Sequence, residues 1–115
     1  MRIISLKATN IELTDAITKY VEEKVGSLEK LVQDFEPAAE LSVEVGKTTR
    51  HHAKGPYLSA EMMLQIPGEL LRATEEAEDL YAAIDLARDA LRRQIIERKE
   101  RLIDKTQNAT RPDKE

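Results

Sequence analysis

The chain has 115 residues, of which 41% are hydrophobic and 35% charged, so its size fits one domain with a modest core and a well-solvated surface. It contains no cysteine, which excludes disulfides and cysteine nucleophiles, and it has neither an apolar run of membrane-spanning length nor a signal-peptide core, so we expect a cytoplasmic protein without a membrane partner. The net charge of -4 argues at first against nucleic acid as a partner, although the two signs are segregated along the chain.

The first third of the sequence predicts a strand followed by a helix. Residues Arg2 to Thr9 alternate, with Ile4 and Leu6 on one side and Ser5 and Lys7 on the other, which predicts a strand although Ile3 breaks the pattern. Thr14 is a predicted N-cap, and Pro37 ends the region. Between them the apolar residues recur every three or four positions, as expected for a helix: Ile17, Val21, Val25, Leu28 and Val32.

The middle of the sequence predicts three strands. Strict alternation from Glu40 to Val45 is typical of a half-buried strand, and the alternation resumes from Tyr57 to Ile66. The segment from Gly46 to Pro56 has no apolar period, so it is a predicted loop. Pro67 and Gly68 form a turn that leads into a short strand from Leu70 to Glu75.

The last part of the sequence predicts one long helix. Asp79 is a suitable N-cap, and a helix from there to Lys105 would be about 40 Å long at roughly 1.5 Å per residue. Its predicted buried stripe is Leu80, Ala83, Ile84, Ala87, Leu91, Ile95 and Leu102. Residues 106–115 contain no large apolar side chain, so the predicted domain spans residues 1–105 and a disordered polar tail follows it.

These elements predict an α+β fold of order β-α-β-β-β-α. Short connections favour an antiparallel meander for the last three strands, with the first strand beside them in one four-stranded sheet. Each helix has a single apolar stripe, so both helices are expected on one face of the sheet. This two-layer arrangement is similar to that of a double-stranded-RNA-binding domain.

The charge distribution points to a polyanionic partner. From Arg88 to Lys105 there are seven basic and four acidic side chains, a local net of +3, and these charges flank the apolar stripe of one helix. On charge alone, the predicted RNA contacts on this helix are Arg88, Arg92, Arg98 and Lys105; because Arg98 lies near the apolar stripe, the alternative is that its stem covers the stripe. The alternative is a solvated surface with no binding role.

The predicted loop is a second basic candidate. It carries three lysine or arginine side chains, two histidines and no acid, which suits contacts with phosphates or bases. Its candidate residues are Lys47, Arg50, His51 and Lys54. The alternative is an ordinary polar turn. Only Tyr20, Phe35, Tyr57 and Tyr81 are aromatic, so phosphate contacts rather than base stacking should dominate.

Catalytic and metal sites are not predicted. The glycines are isolated, so no phosphate-cradling loop is present, and the adjacent rings of His51 and His52 cannot easily share one metal ion. The carboxylates from Glu75 to Asp79 lie where a helix start favours negative charge. We therefore expect no enzymatic activity, no cofactor and no small-molecule substrate.

The segment from Asp79 to Asp85, with Arg93, Gln94 and Ile95 after it, resembles the ribosome hibernation-promoting factors, also known as ribosome-associated inhibitor or sigma-54 modulation proteins. The segment Asn10 to Ile17 is similar to the strand-to-helix turn of that family. The resemblance covers roughly residues 2–105 and agrees with the predicted fold.

The resemblance implies a stress or stationary-phase protein that binds ribosomal RNA, and possibly ribosomal proteins, of the small subunit near the decoding centre. There it would block the messenger and transfer RNA sites and inhibit translation. On matching positions, the implied RNA contacts are Arg93, Lys99, Arg101, Lys24, Lys30 and Arg72. The sequence departs from the family at Ser27, Ala90 and Glu97, where basic residues are common, and it ends before the second domain of the long members.

Two other functions remain open at this point. A protein-interaction module could use the acidic segments or an exposed sheet edge as its docking surface. A double-stranded-RNA-binding domain unrelated to the ribosome would share much of the topology and would bind free duplex RNA.

Overall fold

The computed structural model describes residues 1–48 and 58–110, with side chains described as far as Arg101. The element order is β-α-β-β-β-α, as predicted, with one short 3-10 turn at Gln33–Phe35. The strands and helices are β1 (Arg2–Thr9), α1 (Asp15–Gly26), β2 (Glu40–Lys47), β3 (Leu58–Ile66), β4 (Glu69–Ala77) and α2 (Leu80–Thr110). In the described part of the chain, neither helix is long and apolar enough to span a membrane.

Both helices begin at their predicted caps. The Thr14 hydroxyl accepts a hydrogen bond from the amide of Ile17 at 3.1 Å, and the Asp79 carboxylate accepts one from the amide of Tyr81 at 3.3 Å. The backbone of α2 continues as helix to Thr110, five residues beyond the predicted end at Lys105. Residues 111–115 of the predicted tail lie outside the described part of the chain.

The sheet has the order β1-β2-β3-β4. The last three strands form the predicted antiparallel meander, and β1 lies parallel to β2 at one edge. Parallel neighbours need a crossover, and the connection that contains α1 supplies it. The fold is therefore a mixed four-stranded sheet in the α+β class.

One prediction about β1 was wrong. Ile4 was expected on the same side of the strand as Leu6, but its side chain is 53% exposed whereas Leu6 packs against the core. The pairing with β2 shifts between Ile3, which is opposite Leu41, and Ser5. Ile4 is therefore an extra residue on β1 that does not take part in the ladder. A bulge of this kind restores the inward direction for the residues after it. The side chain of Leu6 accordingly faces the core.

A single aliphatic core joins both helices to one face of the sheet. Helix α1 contributes Ile17, Val21 and Val25, which are all buried. Every predicted stripe residue of α2 from Leu80 to Ile95 is also buried. Because side chains alternate along a strand, the opposite face of the sheet remains open to solvent; this open face carries residues such as Glu44, Glu61 and Arg72.

Gly46 allows β1 and β2 to approach closely. It pairs with Thr9, and a Cβ atom at position 46 would lie 2.6 Å from the Thr9 carbonyl oxygen. That separation is a steric clash with backbone, which cannot rotate out of the way. Glycine is therefore required at this end of the parallel pair.

The sheet has two ends that determine where charges can meet. At one end, called the Lys47 end, Leu58 pairs with both Lys47 and Ala77. At the other, called the Glu69 end, Ile66 pairs with Glu69. The nine residues of β3 separate the two ends by roughly 26 Å. Helix α2 begins next to the Lys47 end, so its second half lies near the Glu69 end.

Candidate nucleic-acid interface

Three arginines on α2 have free charges. Arg92, Arg93 and Arg101 are exposed, and none forms an ion pair within the described part of the chain. They lie in the segment from Arg88 to Lys105, which was predicted to bind a polyanion. A guanidinium group in this state can form two parallel hydrogen bonds with a phosphate without first losing a protein partner.

Arg88, by contrast, is already engaged between the two helices. Its Nε atom lies 2.7 Å from the Asp89 carboxylate, and its NH1 group donates to the Ser27 hydroxyl at 2.9 Å. Only 20% of its side chain is exposed. In this structure Arg88 therefore connects α2 to the end of α1 and does not present a free charge.

Lys99 also contacts the protein rather than solvent. Its Nζ atom donates to the Leu31 carbonyl oxygen at 3.0 Å and lies 3.5 Å from the Asp34 carboxylate. The side chain is 25% exposed. Lys99 thus attaches α2 to the α1–β2 connection. Because its amine is already engaged by the protein, the structure does not support the predicted RNA contact of Lys99.

Arg98 forms the corresponding attachment on the other side of α2. Its Nε atom lies 2.9 Å from Glu69, at the start of β4, and the side chain is partly buried. One turn earlier, the Gln94 amide donates to the Arg72 carbonyl oxygen at 2.7 Å. Arg98 was predicted from charge as an RNA contact, with coverage of the apolar stripe by its stem as the alternative, and its partly buried side chain agrees with that alternative.

Lys24 belongs to an aromatic and ionic cluster between the helices. Its Nζ atom lies 3.6 Å from the Asp85 carboxylate and 5.2 Å from the centre of the Tyr20 ring. The Tyr20 hydroxyl donates a hydrogen bond to the Asp85 carboxylate at 2.8 Å. The rings of Tyr20 and Tyr81 pack edge to face, with their centroids 4.7 Å apart. The hydrogen bond to Asp85, followed by desolvation and nearby carboxylates, raises the pKa of Tyr20 above 10.0.

Tyr20 is therefore expected to ionise at higher pH than an ordinary tyrosine. Because the pKa of Tyr20 is raised in the folded state, the protonated side chain stabilises the fold fully below pH 10.0. This contribution is lost as the pH rises through the pKa of Tyr20 in the folded protein. The variant Asp85→Asn should lower the pKa of Tyr20, since the carboxylate is the main cause of the shift. An NMR titration of the labelled tyrosine rings measures this, with Asp89→Asn as the control. An unchanged midpoint in Asp85→Asn would contradict the assignment.

Lys30 is an exposed cation in the connection that follows α1, and it too has no ion pair within the described residues. It adjoins Leu31, whose carbonyl accepts the Lys99 hydrogen bond. On α2, residues 88, 92 and 99 are spaced by four and seven positions and so share the side that faces α1. The free charge of Arg92 therefore lies on the same side of α2 as Lys30.

Arg72 lies on a different surface. Its neighbours Leu71 and Ala73 are buried beneath the helices, so the Arg72 side chain is on the open face of the sheet. There its Nε atom lies 3.3 Å from Glu61. The structure does not bring Arg72 together with the cations of α2.

Lys47 is exposed at the Lys47 end of the sheet, far from the second half of α2. The other predicted loop residues, Arg50, His51 and Lys54, lie outside the described part of the chain, and so does the side chain of Lys105. Contacts by these residues stay predictions.

Two exposed lysines were not predicted as candidates. Lys7 lies on the open face of the sheet opposite Glu44, and Lys19 is on α1 outside the buried stripe. Both are without an ion pair among the described residues. Lys19 could have been found from its position off the stripe of α1. In the same part of the chain, no group of three His, Cys, Asp or Glu residues could hold a metal ion.

Comparison with protein families gives one match. Residues 4–103 match the model of the family described as sigma 54 modulation protein / S30EA ribosomal protein. Proteins named ribosome hibernation promotion factor are similar to the chain at 34% identity in Deinococcus radiodurans and 40% in Staphylococcus aureus. These matches cover 83% and 81% of this chain but 48% and 46% of those relatives, so the chain spans about half of their length.

Solved structures give the same fold. The N-terminal domain of Thermus thermophilus Protein Y has 37% identity and a TM-score of 0.65, with 83% of this chain and 96% of that chain covered. A ribosomal subunit interface protein from Coxiella burnetii has a TM-score of 0.67 and covers 87% of this chain and 99% of that chain. At 16% identity, the second likeness concerns the fold alone.

Proposed function

Because the chain belongs to the sigma 54 modulation protein / S30EA ribosomal protein family, we propose that it is a cytoplasmic ribosome hibernation factor. In this proposal it binds the small ribosomal subunit near the decoding centre and blocks the messenger and transfer RNA sites. Translation is then inhibited in stationary phase or under stress. The similar proteins named ribosome hibernation promotion factor support the ribosome as the partner. The activity is occlusion by binding, without a catalytic step.

The observation that carries the proposal is the set of free guanidinium groups on α2. Arg93 and Arg101 are eight positions apart, or about 12 Å along the helix and about 80° around it. Arg92 lies beside Arg93 on the side facing α1, across the helix from Arg101. Ribosomal RNA presents a dense and fixed array of phosphates, to which arginine binds strongly. Lys30 adds a further free charge in the connection that follows α1.

Binding of this kind depends strongly on salt. If about five phosphates are contacted, the logarithm of the affinity for small subunits should fall with the logarithm of salt concentration at a slope of roughly -4. Cosedimentation of the protein with purified small subunits through sucrose, at several salt concentrations, measures this slope. A slope near zero would contradict an interface built from phosphate contacts.

The same experiment separates the two alternative functions. Free duplex RNA added as a competitor should displace little protein from the small subunit if the ribosomal surface is the true partner. Strong binding to naked duplex would favour a double-stranded-RNA-binding domain. Binding to a protein partner that survives nuclease treatment would favour an interaction module.

A further inference from the structure

The last six residues of α2 whose side chains are described, 96–101, include no fully buried side chain. Ile95 is the last buried residue of the helix whose side chain is described. Beyond it, Ile96, Arg98 and Lys99 are partly buried and Arg101 is exposed. A helix end with few buried contacts opens readily, since local opening there costs little free energy.

Two cations occupy the positions where such a helix end could be fixed. Lys99 reaches the Leu31 carbonyl oxygen at 3.0 Å on the α1 side. Arg98 reaches the Glu69 carboxylate at 2.9 Å on the β4 side. Consecutive residues of a helix point about 100° apart, so the two contacts restrain α2 from two directions.

We propose that Lys99 and Arg98 are positioning residues that hold the second half of α2 in the orientation needed for RNA binding, and that neither contacts phosphate. This inference rests on the proposed function and changes the role that the family resemblance implies for Lys99. The two side chains are partly buried: Lys99 is hydrogen-bonded to the Leu31 carbonyl oxygen, and Arg98 is paired with Glu69 by charge, although its buried Nε atom donates no hydrogen bond. Moving either one to a phosphate would cost its present contacts, whereas Arg101 has no ion pair to lose within the described residues.

Salt dependence distinguishes positioning from contact. Neutralising a side chain that binds phosphate lowers the magnitude of the salt slope by about one, because one fewer counterion is released. Neutralising a positioning residue leaves the slope nearly unchanged and reduces the affinity at every salt concentration. The reduction arises because a smaller fraction of the protein has α2 in the binding orientation.

The test uses the full chain with Arg98→Gln and Lys99→Gln combined, compared with Arg92→Gln. Hydrogen exchange of the backbone amides of residues 96–101 should become at least about tenfold faster in the double variant. Its affinity for small subunits should fall about tenfold with a nearly unchanged salt slope, and Lys99→Arg alone should retain the affinity of the parent. Arg92→Gln should lower the slope by about one and leave hydrogen exchange as in the parent.

Each other outcome overturns the inference. Unchanged hydrogen exchange in the double variant would mean that the two side chains do not hold the helix. A slope lowered by about two would identify them as phosphate ligands, and faster exchange with unchanged affinity would show that the orientation of the helix end does not matter. The hydrogen-exchange measurement needs no ribosome, so failure of the parent protein to bind small subunits would count against the proposed function alone.

Discussion

Replacing Arg93 and Arg101 together by glutamate is expected to abolish cosedimentation with small ribosomal subunits and to leave the fold intact. Both side chains are exposed and form no ion pair within the described residues, so their replacement breaks no intramolecular contact that the structure records. The change converts two phosphate-binding groups into groups that repel phosphate. A far-ultraviolet circular dichroism spectrum and a thermal melt like those of the parent would verify the fold.

The double variant Arg93→Gln/Arg101→Gln gives a graded form of the same experiment. If each hydrogen-bonded charge pair contributes about 1.5 kcal/mol, removing both should weaken binding roughly a hundredfold. Lys7→Gln/Lys19→Gln is the matched control, because it changes the net charge equally at two exposed lysines, on β1 and α1, that also have no ion pair within the described residues. Equal losses of affinity in the two variants would mean that net charge, and not the α2 surface, governs binding.

The helices and central strands were predictable because burial imposes a period on the sequence. Alternation at Leu41, Val43 and Val45 identified β2, and spacing by three and four identified the stripe of α2. The bulge at Ile4 was not predictable in the same way. Three apolar side chains lie close together at Ile3, Ile4 and Leu6, and the ladder with β2 decides which of them points inward.

The location of the candidate surface on α2 was predictable, but which of its cations have free charges was not. Sequence placed the cations on α2, whereas several groups that hydrogen-bond to them come from distant segments, such as the Ser27 hydroxyl for Arg88 and the Leu31 carbonyl for Lys99. A helical signal did exist. Arg88 follows the buried Ile84 by four positions, and Lys99 follows Ile95 by four, so both border the stripe and can reach neighbouring elements.

The core prediction with the largest expected effect concerns Leu91, which is fully buried at the centre of the α2 stripe. Leu91→Ala removes three carbon atoms from the contact between α2 and the sheet and leaves a cavity, which should lower the free energy of unfolding by about 2–5 kcal/mol. That loss is a large fraction of the roughly 5–15 kcal/mol typical of a domain of this size. With a urea m-value of about 1–3 kcal/mol/M, the midpoint of unfolding should fall by at least about 0.7 M.

Leu86→Ala is the matched control, because it makes the same chemical change on the same helix at a side chain that is 46% exposed. Its free energy of unfolding should change by less than about 1 kcal/mol, since the truncation removes little buried apolar surface. Urea unfolding followed by circular dichroism compares the two variants directly. Similar small losses in both would mean that α2 is not held by its stripe, and the free arginines would then have no fixed platform from which to bind RNA.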